Sequence, residues 1–136
     1  HTLMYVSARR ETKMNRAFVN ILTEDVAATA QFYQELLGMR RTGDFGWFVI
    51  LSHETMPHFE LGILERDHDT IPNGVSAAPQ GFISTFVVED VEEIYARALK
   101  MDAEIIEKPT ELPYGQRRLM LRDPAGAAVD VSAPIR

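Results

Sequence analysis

The strongest constraint on the fold is that the chain repeats itself. Residues 18–38, FVNILTEDVAATAQFYQELLG, and residues 82–103, FISTFVVEDVEEIYARALKMDA, each open with an apolar strand-like run, reach Glu-Asp-Val and continue in helical periodicity. Aligning the two triplets superposes Phe18 on Ile83 and Tyr33 on Ala98. Val26, Ala30, Tyr33 and Leu37 share one face of the first predicted helix, and Val91, Ile94, Tyr95, Ala98 and Leu99 one face of the second. Asp25 and Asp90 are the expected N-caps, Asp90 with Glu93 in a capping box, and Gly38 the expected left-handed C-cap.

Strand patterns follow each helix, at about 39–43, 47–52 and 58–64 in the first half and 104–107, 117–122 and 127–132 in the second. Each half is therefore β-α-β-β-β, and the predicted class is α+β. The organisation reads as one domain over 16–136, with modules at about 16–64 and 82–133. Residues 65–81, ERDHDTIPNGVSAAPQG, are too long and too rich in Pro, Gly and polar residues for a tight hairpin and read as a linker. Residues 1–15 read as an N-terminal tail that opens on His, part of it an expression leader, with Met4 and Met14 as candidate natural starts.

Composition narrows the chemistry. With no cysteine, thiolate metal sites, cysteine nucleophiles and disulfides are excluded, which fits a cytoplasmic location. A net charge of −6 argues against a nucleic-acid partner, and no apolar run has the length of a membrane span. There is no Gly-rich phosphate loop and no Gly-x-Ser-x-Gly elbow, and no motif places a His to activate Ser132.

ILTEDVAATAQFYQELLGM and PYGQRRLMLRDPAGAAVDV together, on a visible duplication, resemble the vicinal oxygen chelate superfamily, which includes glyoxalase, extradiol dioxygenases and the fosfomycin and bleomycin resistance proteins. The resemblance covers about residues 16–133. It implies two βαβββ modules whose curled mixed sheets form a ligand cleft, often in a homodimer. It also implies a divalent metal held by first-strand imidazoles and last-strand carboxylates. Seven residues before each strand-ending Asp, the imidazole positions fall on Phe18 and Ile83, which have no lone pair to donate. The carboxylate positions fall on Glu60 and Asp130. Two carboxylates without imidazole are a poor metal site, so no metal and no cofactor are expected.

Strand alternation places Phe18, Asn20 and Leu22, His58 and Glu60, Ile83 and Thr85, and Asp130 on the cleft floor. Phe45, Trp47 and Tyr114 are candidates for an aromatic wall against a flat or cationic ligand. Alternation lets only one of Arg117 and Arg118 point inward, where it counters the carboxylates or holds an anionic group. His53, His58 and His68 match no metal spacing and read as turn, strand-end and solvated linker residues. The ligand-binding candidates are thus Phe18, Asn20, Trp47, His58, Glu60, Ile83, Thr85, Tyr114, Arg118 and Asp130. Two functions are compatible with them. One is metal-free binding that sequesters a small molecule, as in the bleomycin resistance proteins. The other is a divalent-metal-dependent lyase, isomerase or dioxygenase of the glyoxalase type, whose best form is an acid–base or metal site from His58, Glu60 and Asp130.

Overall fold

The Asp that follows the first strand of each repeat starts a helix, because its side chain accepts the backbone N–H groups that the first turn leaves free. Asp25 accepts from Ala28, and Asp90 from Glu92 and Glu93. Glu93 does not return the bond that would close a capping box; it pairs with Arg97 one turn on. Gly38 ends the first helix at φ 72°, donating its N–H to the Gln34 carbonyl, a geometry that favours a residue without Cβ.

The computed structural model describes residues 11–135, so most of the predicted N-terminal tail lies outside the described residues. The elements are β1 (Val19–Thr23), α1 (Val26–Leu37), β2 (Arg40–Asp44), β3 (Phe48–His53), β4 (Met56–Glu65), β5 (Ile83–Val87), α2 (Val91–Lys100), β6 (Glu104–Leu112), β7 (Gln116–Arg122) and β8 (Ala128–Pro134). They form two four-stranded mixed sheets of identical topology, β1-β4-β3-β2 and β5-β8-β7-β6, with the β1–β4 and β5–β8 pairs parallel. The predicted α+β fold of two similar modules is the observed one.

Alternation along the strands separates two faces. Ile21, Val49, Leu51, Leu61 and Ile63 pack against Ala30, Tyr33 and Leu36 of α1, and Leu119, Leu121, Val129 and Val131 join Val91, Ile94 and Ala98 of α2 in the same core. Full burial of each such aliphatic side chain stabilises by about 1.5–3 kcal/mol, so this core carries most of the fold. The modules meet on this helix-covered side. Phe86 lies 6.2 Å from Tyr33 and 5.9 Å from Phe59, ring centre to ring centre, Tyr33 donates to Asp123 at 2.6 Å, and Arg97 donates to the Leu36 carbonyl at 3.1 Å.

β6 runs further than the predicted 104–107. Its pairing with β7 slips twice, between Ile105 and Glu107 and between Glu107 and Thr110, and these bulges hide its length from a strict alternation pattern. The linker is tied down by Arg66, whose side chain donates to the Ser76 carbonyl and pairs with Glu24. His68, expected in solvent, stacks on Trp47 with ring centres 3.7 Å apart.

Candidate functional site

The side chains that alternate with the core residues leave each sheet with an open face. On the first sheet this face carries Phe18, Asn20, Phe48 and Glu60. Asn20 pairs in register with Gly62, and a Cβ at Gly62 would meet the Asn20 side-chain oxygen and, at 3.1 Å, the Phe48 ring, so the missing side chain lets those two close over the strand. Phe48 organises the aromatic residues: Phe45 stacks on it at 6.2 Å, Phe18 at 6.4 Å, and Trp47 lies tilted at 5.7 Å. The Asp44-Phe45-Gly46 turn presents this corner, since Asp44 accepts from the Gly46 N–H and from Arg41. Phe48 belongs to the WFVILS strand and was not among the predicted site residues; its place between Trp47 and Phe18 depends on the β3–β4–β1 register.

Glu60 is paired with Arg16, outside the predicted set. Arg16 Nε and Nη2 reach the two carboxylate oxygens at 2.5 and 2.7 Å, and its guanidinium carbon lies 5.0 Å over the centre of the Phe18 ring. The hydrogen bonds and charge of Arg16 hold the Glu60 carboxyl below its ordinary value. His58, two residues away on β4, is exposed and is not the partner of Glu60. Of the other histidines, His53 bonds through Nε2 to the Leu37 carbonyl at the end of α1, while its Nδ1 accepts from the Thr55 N–H, so both nitrogens serve the fold.

On the second sheet, Thr85 pairs in register with Asp130 and donates to it at 3.0 Å. Arg118 is the inward member of its pair: it bonds Glu107 at 3.0 Å and feels the charge of Asp130, whereas Arg117 turns to Glu92 of α2 at 2.6 Å. Asp130 Oδ1, Arg118 Nε and Gln116 Oε1 are buried without a partner, an arrangement that a water or a ligand polar group can satisfy. Tyr114, at the β6–β7 turn, is 70% exposed and apart from the Phe48 group.

The register corrects one expectation. Asn20 is the repeat counterpart of Thr85; it pairs with Gly62, while Thr85 pairs with Asp130. The counterpart of Asp130 is therefore Gly62, and Glu60 lies two residues before it. The two carboxylates have separate partners, and no hydrogen bond or ion pair joins them. Ile83 lines a cavity of about 670 Å³ beside Gln80, Phe82 and Arg122, and Thr85 borders another of about 650 Å³ in the seam near Phe59, Phe86 and Val87. The other predicted site residues line neither.

With the geometry in place, comparison with known proteins decides the family. A sequence model of the Glyoxalase/Bleomycin resistance protein/Dioxygenase superfamily matches residues 15–131. The chain belongs to this superfamily. It is similar to the uncharacterized protein YwbC of Bacillus subtilis (strain 168), 26% identical over 117 residues covering 81% of this chain and 90% of YwbC. Its fold is similar to that of a glyoxalase/bleomycin resistance protein/dioxygenase family enzyme from Burkholderia phytofirmans PsJN, with a TM-score of 0.75, 21% identity and coverage of 87% of this chain and 97% of that one. A lactoylglutathione lyase from Agrobacterium tumefaciens shares it at a TM-score of 0.68 and 21% identity, covering 90% of this chain and 95% of that one.

Within this superfamily the metal implied by the resemblance does not fit the residues present. Phe18 and Ile83 offer hydrocarbon where imidazoles are needed, Gly62 offers nothing, and Glu60 already holds a guanidinium. Among the described residues no three His, Asp or Glu side chains converge as a metal would require. No helix among them is long and apolar enough to cross a membrane.

Proposed function

We propose that the chain is a metal-independent small-molecule-binding member of the glyoxalase/bleomycin resistance superfamily. The observation that carries this reading is the replacement of donor side chains on the open faces by Phe18, Ile83 and Gly62, next to an aromatic group built on Phe48. Stacked rings and an exposed amide suit a flat ligand with an aromatic body and one or two hydrogen-bonding groups. Glu60 is already paired with Arg16, and Arg118, bonded to Glu107, adds positive charge near Asp130, so the aromatic surface is the main source of affinity. The second open face contributes the unsatisfied groups of Gln116, Arg118 and Asp130.

The reading includes a homodimer. β1 and β5 are edge strands, and Val19, Ile83 and Val87 on them are 56, 56 and 67% exposed, an apolar edge that a second copy would cover. The similarity to a lactoylglutathione lyase supports the enzyme reading as the second possibility, and that reading requires a metal.

Trp47 is the single tryptophan, 5.7 Å from Phe48, so its fluorescence reports on this face. Titration with a panel of flat aromatic compounds is expected to quench it equally with and without chelator, and Phe48→Ala to weaken binding by about 1–3 kcal/mol, the value of one stacked, buried ring contact. Binding that appears only on adding a divalent metal would support the enzyme reading instead.

A further inference from the structure

The pairing of Arg16 with Glu60 has the composition of a binding site whose ligand is the chain itself. Two coplanar N–H groups meet both oxygens of one carboxylate at 2.5 and 2.7 Å, and an aromatic ring lies beneath the cation at 5.0 Å. That is the recognition geometry of a planar, delocalised cation. The carboxylate side is built into the sheet: Glu60 lies within β4, its side chain only 19% exposed, and the Phe18 ring is fixed against Phe48. The cation side is not built in. Arg16 precedes the first strand in a stretch whose residues 11–17 are all exposed, and its own side chain is 54% exposed.

We propose that Glu60 and Phe18 form a subsite for amidinium or guanidinium groups, kept filled by Arg16, and that a ligand bearing such a group enters by displacing it. An exposed ion pair is weak, so Arg16 can leave without disturbing the core. As a tethered competitor it acts at an effective concentration on the order of millimolar, which hides the subsite from weak cations and admits a ligand whose aromatic body also stacks on Phe18 and Phe48. A compact ammonium makes only one of the two parallel hydrogen bonds, so the subsite discriminates by shape as well as charge.

Benzamidine is a suitable probe, with benzylamine as its non-planar counterpart. In calorimetric titrations Arg16→Ala is expected to bind benzamidine about two- to sixfold more tightly than the parent, the gain from removing a competitor held by an exposed ion pair. The Arg16→Ala/Glu60→Gln double variant should lose that gain, and benzylamine should gain less than benzamidine. Circular dichroism of each variant should match the parent, because Arg16 packs against nothing in the core. Equal benzamidine affinity in Arg16→Ala and parent, or full affinity retained in the double variant, would overturn the proposal. It rests on the metal-free reading of this face, and metal content measured on the same preparations separates the two. A metal-free Arg16→Ala protein that gains no affinity overturns the subsite alone, whereas a metal at Glu60 overturns both.

Discussion

Tyr33 donates to Asp123 from inside the core, and Asp123 also accepts from the backbone N–H groups of Ala125 and Ala127. One carboxylate thus folds the β7–β8 turn and pins it to α1. Burial, then the Asp123 charge, raises the Tyr33 hydroxyl well above its ordinary value; burial also raises Asp123, against the opposing pull of its hydrogen bonds. Tyr33→Phe is expected to destabilise by about 1.5–3 kcal/mol in urea unfolding, the cost of removing a donor from a buried charged acceptor. A raised tyrosine contributes stability that is intact below its unfolded value of about 10 and lost as pH climbs past it, because the unfolded chain ionises first. The parent should therefore weaken more steeply above pH ~10 than Tyr33→Phe does. In the sequence Asp123 opens Asp-Pro-Ala-Gly, a turn signal that says nothing about Tyr33. Its partner is 90 residues away, and no local pattern announces such a pair.

At the scale of elements, legibility followed local chemistry. Both helices and their caps were readable from Asp25, Asp90 and Gly38 because capping is decided within a few residues. Asp90→Ala is expected to cost about 1 kcal/mol, since it strips acceptors from two N–H groups at the start of α2, and thermal unfolding checks this. β6 was read short because each bulge resets the alternation on which a strand is recognised. The same limit affected the site. That Glu60 and Asp130 occupy unequal places follows from a two-residue difference in where β4 and β8 lie beside their parallel neighbours, which cannot be read along either strand alone. Arg16 was missed because it precedes the first strand, where no periodicity marks a side chain as inward.

For the whole molecule, the duplication was legible because each half carries its own copy of the pattern, and the superfamily followed from two motifs in order. How the halves face one another was not: Tyr33, Phe59 and Phe86 join them on the helix side and leave both open faces uncovered. Light scattering at micromolar concentration is expected to return a dimer mass, and charged substitutions at Val19 and Val87 to shift it toward the monomer. The central claim is that this member of the superfamily binds without a metal. Its most direct test is elemental analysis of protein purified without chelator, alongside Glu60→Ala and Asp130→Ala. The account predicts zinc, nickel, manganese and iron far below one equivalent in all three. Near-unit metal in the parent that disappears on either substitution would contradict it.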